Sequence, residues 1–67
     1  MTRKLKKNQV FAPKGHRLVV RCFQGIMWIT YKNGKDHILN PGEKIELTSL
    51  KKPCICALTD GMIEITA

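Results

Sequence analysis

The sequence predicts an all-β fold, a small antiparallel sandwich or partial barrel of about six short strands. Three observations carry that expectation. Turn signals recur every few residues, at Gly15, Gln24-Gly25, Asn33-Gly34, Pro41-Gly42 and Asp60-Gly61. The runs between them are rich in Val, Ile, Thr and aromatic residues, which suit a pleated, half-buried surface. No window sustains a helical period.

Taken in order, the strands fall near 16–23, 26–32, 35–39, 44–49, 53–59 and 62–66. Asn-Gly and Asp-Gly favour two-residue hairpin loops, which fix register. With Asn33-Gly34 as such a loop, Ile29 faces Ile38, Trp28 faces Leu39 and Thr30 faces His37. With Gln24-Gly25 as a second, Val20 faces Ile29 and Arg21 faces Trp28. Leu18, Val20, Cys22, Met27, Ile29, Tyr31 and Ile38 then share one side, joined past the Pro41-Gly42 turn by Ile45 and Leu47. This row is the expected core. The other side gathers Arg17, Val19, Arg21, Phe23, Trp28, Thr30, His37, Leu39 and Glu46. A one-residue slip would exchange the two faces. Asp60-Gly61 closes the last hairpin, with Leu58 opposite Ile63 and Cys56 opposite Ile65.

A chain of 67 residues makes one domain, and a chain that short buries only about 60% of the surface it exposes when unfolded. Residues 10–67 are expected to form this domain, and residues 1–9 a flexible basic arm carrying Arg3, Lys4, Lys6 and Lys7. The net charge of +7 is uneven: residues 1–35 hold nine Lys or Arg and no acid, residues 36–67 three Lys against five Asp or Glu. Such a block can steer a protein toward phosphate or anionic lipid. The arm has no aromatic residue for base stacking, so weak, salt-sensitive, sequence-independent contact with nucleic acid is the expected limit of its binding.

Three cysteines, an odd number, argue against a closed disulfide framework and for a reducing compartment. The basic start has no apolar segment of signal-peptide type, and no run approaches the ~20 apolar residues of a membrane-spanning helix. A soluble, cytoplasmic protein is expected.

The stretch GKDHILNPGEKIEL, residues 34–47, puts Asp36, His37, Glu43 and Glu46 within eleven positions. On the expected register only His37 and Glu46 converge, whereas zinc and iron sites usually take three or four protein ligands. The other histidine, His16, begins a different strand. No metal and no cofactor is therefore expected, and His37 and Glu46 read as a cross-strand surface pair. Cys54 and Cys56 point the same way along a strand, and their alternation with the hydrophobic row makes them small core side chains. No nucleophile elbow, phosphate-binding glycine loop or paired carboxylate system stands out, so no catalytic residue is named.

The run GIMWITYKNGKDHILNPGEKIEL resembles the pattern of a bacterial family catalogued as domain of unknown function 2917. That pattern is a glycine, a tryptophan two or three positions on, a threonine, a short turn, an aspartate, a leucine and a glycine–glutamate turn. Gly25, Trp28, Thr30, Asp36, Leu39, Gly42 and Glu43 match it, over about residues 10–66. The resemblance implies a short cupin-like β-fold and brings no established activity, substrate or catalytic residue. It also implies a scaffold without the cupin metal site, whose histidine-x-histidine pair, glutamate and later histidine are represented in this segment by His37 alone.

The leading expectation is a non-enzymatic, cupin-like module that self-associates as a homodimer, or a larger symmetric assembly, and binds a small ligand or a protein partner. Its contact surface would be the sheet edges or the tryptophan-bearing face, where Arg21, Trp28, Thr30, His37 and Glu46 form the candidate patch, with Val19, Phe23 and Leu39 as its apolar members. The alternatives are a nucleic-acid-binding protein using the basic first half and, behind it, a small metal-dependent enzyme of cupin type.

Overall fold

The computed structural model describes residues 1–66; Ala67, the last residue of the expected domain, lies outside them. Eight strands form: β1 (Thr2–Leu5), β2 (Val10–Phe11), β3 (Arg17–Gln24), β4 (Met27–Thr30), β5 (Asp36–Leu39), β6 (Lys44–Thr48), β7 (Cys54–Ala57) and β8 (Gly61–Thr66). One 3-10 turn, Ser49–Lys51, follows β6. The strands make two four-stranded antiparallel sheets, a first in the order β1-β8-β3-β6 and a second in the order β2-β7-β4-β5. The all-β, antiparallel expectation holds, and of sandwich and partial barrel the two sheets fit the sandwich, with eight strands in place of about six.

Period-two alternation explains which side chains turn inward. In the first sheet Leu5, Leu18, Val20, Cys22, Leu47, Ile63 and Ile65 are buried; in the second, Met27, Ile29, Leu39, Ile55 and Ala57. They form one cluster, with Phe11, Tyr31 and Ile45 packed against it. Every buried side chain in this core is apolar, so burial costs no unpaired polar group.

Three expected hairpins are crossings between the sheets. β3 and β4 lie in different sheets, as do β5 and β6, and β7 and β8. Val20 therefore pairs with Ile45 and Ile65, not with Ile29, and Arg21 pairs with Lys44 and Glu64, not with Trp28. Cys56 pairs with Val10 and Trp28, not with Ile65. The glycines at two of these crossings serve each other. A Cβ on Gly25, whose φ is +78°, would collide with the Asp60 carbonyl, and one on Gly61 would collide with the Gln24 carbonyl. Two backbones thus touch where side chains would hold them apart.

Among the described strands only β4 and β5 make a hairpin inside one sheet, and its register is one residue from that expected. Met27 pairs with Leu39, Trp28 with Ile38, Ile29 with His37 and Thr30 with Asp36. A two-residue type I′ loop needs positive φ at both central residues. Gly34 has it (φ +86°) and Asn33 does not. The chain instead makes a longer turn, with Gly34 N–H donating to the Tyr31 carbonyl (3.0 Å) and Tyr31 N–H to the Lys35 carbonyl (3.0 Å). The slip sends Leu39 into the core and Ile38 to the surface, the reverse of the expected row.

The first residues also differ from the flexible arm expected of them. β1 pairs with β8 from Thr2↔Glu64 to Leu5↔Gly61, and Leu5 is a core residue. Four residues with one inward hydrophobe give a weak strand signal in sequence, yet β8 offers a complete ladder to pair with. Arg3 reaches across the open side of the sandwich and stacks on the Phe11 ring at 4.1 Å.

Candidate functional site

The candidate patch does not assemble as one surface. Arg21 and Glu46 stand on the outer face of the first sheet, at Arg21↔Lys44 and Val19↔Glu46. Trp28 and Thr30 stand on the outer face of the second, where each pairs with a cysteine, Cys56 and Cys54. His37 is exposed at the free edge strand β5, opposite Ile29. The reason is the crossing after Gln24, which puts the arginine and the tryptophan on opposite sides of the molecule. Of the expected apolar members, Val19 and Phe23 belong to the first sheet and Leu39 to the core. Glu46 pairs not with His37 but with Arg17, at 2.9 Å between two exposed side chains.

Around Trp28 a different surface appears. On the outer face of the second sheet, Val10 pairs with Cys56, Cys56 with Trp28 and Trp28 with Ile38. These pairs run through all four strands as one apolar row. Val10 is 58% exposed, Ile38 43% and Trp28 37%, so the row faces outward. Leu58, two residues past Cys56 and donating its N–H to the Ile26 carbonyl at 2.9 Å, extends it with 38% exposure. The polar groups beside the row are engaged: the Trp28 indole N–H donates to Asp36 Oδ2 at 3.2 Å, and Thr30 Oγ1 to the Cys54 carbonyl at 3.5 Å. The Asp36 carboxylate gives the indole N–H its partner and leaves the apolar body of the ring to the row.

Cys54 and Cys56 are half-buried on this outer face, while Ile55 and Ala57 take the inner positions they were expected to hold. The parity follows from β7 joining the second sheet through β4 and not the first through β8. Cys22 is the core cysteine. Its thiol lies 3.4 Å from the Gln24 carbonyl and 3.2 Å from that of Gly25. Burial pushes its pKa up, and the charge of Glu43 adds to that shift. A thiol buried and shifted in this way packs as a small hydrophobe.

The expected electrostatic arm is dispersed. Arg3 and Lys4 lie in β1, and the turn that carries Lys6 and Lys7 is tied down by Lys7 N–H donating to Asp60 Oδ1 at 2.6 Å. Among the described residues no three His, Cys, Asp or Glu side chains gather as metal ligands would, and no helix is long and apolar enough to cross a membrane. The apolar row through Trp28 could have been found in the sequence only by knowing that β2, β7, β4 and β5 are neighbours, because its four members come from four separate segments. No protein-family model, curated protein or solved structure matches this chain, so its functional reading rests on its own residues and their placement.

Proposed function

We propose that the chain is a non-enzymatic, self-associating β-sandwich module, and that the outer face of its second sheet binds a second copy of itself. The observation that carries this reading is the unbroken row Val10–Cys56–Trp28–Ile38. Exposed apolar patches on small soluble domains usually mark a contact, and tryptophan is prominent among residues that anchor one. A two-fold axis through the middle of the row would set each chain's Trp28 and Cys56 against the other's, a self-complementary arrangement.

Size supports the same choice. A domain this small has little core to spare, and covering an apolar face adds stability that a monomer lacks. The sheet edges are less suited. β5 and β6, the outermost strands on one side, carry Asp36, His37, Lys44 and Glu46, polar groups that discourage strand addition. A face four strands wide, at about 4.8 Å per strand, is narrower than a standard interface, so micromolar affinity is expected.

The test is solution mass against concentration, by light scattering or sedimentation, for the parent chain, for Ile38→Lys and Trp28→Lys, and for Val19→Lys on the opposite face. The parent and Val19→Lys should show a dimer that dissociates on dilution, and the two row variants a single chain. A parent mass of one chain into the hundreds of micromolar, or row variants that dimerise as the parent does, would overturn the reading.

A further inference from the structure

The three loops at one end of the sandwich carry a charge that none of the sheets explains. Residues 12–16, 31–35 and 49–53 join β2 to β3, β4 to β5 and β6 to β7 at this end. They hold Lys14, Lys32, Lys35, Lys51 and Lys52, all exposed, and no Asp or Glu. At the other end Lys6 and Lys7 are balanced by Glu43 and Asp60. Most of the molecule's excess positive charge therefore sits on one pole.

The loops are tied into one platform. Ser49 N–H donates to the His16 carbonyl at 3.1 Å, and Lys32 N–H to the Lys51 carbonyl at 3.0 Å. The Lys51 ammonium lies over the Tyr31 ring at 5.6 Å. From the centre of this platform the 3-10 turn presents Leu50, 91% exposed, the most exposed large hydrophobe of the described residues. Directly after it Lys52 adopts the left-handed conformation (φ +46°), where glycine or asparagine would cost less. That conformation caps the turn, with Lys52 N–H donating to the Ser49 carbonyl at 3.1 Å, and it fixes the exposed leucine among the lysines of the pole.

We propose that this pole docks on an anionic lipid surface, with Leu50 entering the headgroup boundary and the five lysines resting on acidic headgroups. The leucine selects this partner. A nucleic-acid backbone rewards the lysines but gives an aliphatic tip nothing to enter, whereas a bilayer rewards both. The pole is perpendicular to the sheet faces, so docking there leaves the row through Trp28 free for a second chain.

The experiment is co-sedimentation with vesicles of phosphatidylcholine containing about 30% phosphatidylserine, and with phosphatidylcholine alone, at ionic strengths from low to ~0.15 M. The variants are Leu50→Ser, the pair Lys51→Gln with Lys52→Gln, and the pair Arg21→Gln with Lys44→Gln on the first sheet, each checked for a native circular dichroism spectrum. Binding should require the acidic lipid and weaken with salt. It should fall about five- to tenfold in Leu50→Ser and about 25-fold in the pole pair, at roughly fivefold per lysine. The first-sheet pair should bind within about twofold of the parent. Equal binding to phosphatidylcholine alone, no loss in Leu50→Ser, or an equal loss in the first-sheet pair would overturn the proposal. Tighter binding to duplex or single-stranded DNA, indifferent to Leu50, would replace it with a nucleic-acid reading.

Discussion

Across the outer face of the first sheet run Lys44, Arg21, Glu64 and Thr2; across that of the second run Ile38, Trp28, Cys56 and Val10. Each row crosses four antiparallel strands, and each sheet turns its other face into the same apolar core. The inner faces are alike because they share one interior and must exclude water together. No such constraint acts on the outer faces. The first is finished with charges of both signs, where Arg21 has Lys44 on one side and Glu64 on the other, while the second is finished with side chains that gain nothing from water. The contrast teaches that burial pattern reports the fold and outer-face chemistry reports what the fold is for.

The largest expected effect tests whether inside and outside have been told apart in the second sheet. Leu39→Ala should cost about 2–5 kcal/mol, enough to unfold a domain this small, whereas Ile38→Ala should cost the folded monomer less than about 1 kcal/mol. Urea titration of both variants checks this, and a larger cost for Ile38→Ala than for Leu39→Ala would return the hairpin to its two-residue register.

Next in size is a pH effect that begins in the interior of the first sheet. Cys22 has its pKa raised from 9.0 mainly by burial, so the unfolded thiol ionises before the folded one. Its contribution to stability is complete below that value and is lost as pH rises through the folded pKa. The limiting slope is about 1.4 kcal/mol per pH unit. Tyr31, raised from 10.0 by burial, acts later in the same direction. Stability measured from neutral to alkaline pH should decline more steeply for the parent than for Cys22→Val; parallel declines would remove the thiol from the account.

The outer faces separate in the last two predictions. Asp36→Ala, which deletes the acceptor of the Trp28 indole, should cost about 0.5–1.5 kcal/mol and change the tryptophan emission. An unchanged spectrum would mean that the indole is not held by Asp36. On the first sheet, a double-mutant cycle on Arg17 and Glu46 should yield about 0.2–1 kcal/mol, because both partners are well exposed, and most of it should vanish at high salt. A larger, salt-resistant coupling would show that the charged face is more ordered than its exposure implies.

Much of this was legible in the sequence, and the parts that were not have a common cause. Strand-forming runs between turn signals gave the all-β class, and alternation placed Leu18, Val20, Cys22, Met27, Ile29 and Leu47 correctly in the core. A glycine turn, however, looks the same whether it folds a strand back beside its predecessor or carries the chain to the facing sheet. Gln24-Gly25 and Asp60-Gly61 do the second, and the difference lies in a contact between them that neither segment reveals alone. Asn33-Gly34 does fold back, but a single positive φ in place of two shifted its register and exchanged Ile38 with Leu39. The candidate patch failed with those turns: Arg21 and Trp28 are close in sequence and sit on opposite surfaces. The row that replaced it is assembled from residues 10, 28, 38 and 56, a set that only the sheet order brings together.

The pairing of β1 with β8 also bears on how the protein is made. Thr2 and Glu64 are neighbours in the first sheet, yet they leave the ribosome about 3–12 seconds apart at ~5–20 residues per second. Among the described strands, β4 and β5 alone can pair soon after emerging, since every other partner comes from a distant segment. Until β8 emerges, the nascent chain therefore holds Leu5, Leu18 and Val20 without all the strands that cover them. The interval is one in which holding chaperones and proteases compete for the same exposed segments, and it closes only when β8 slides between β1 and β3.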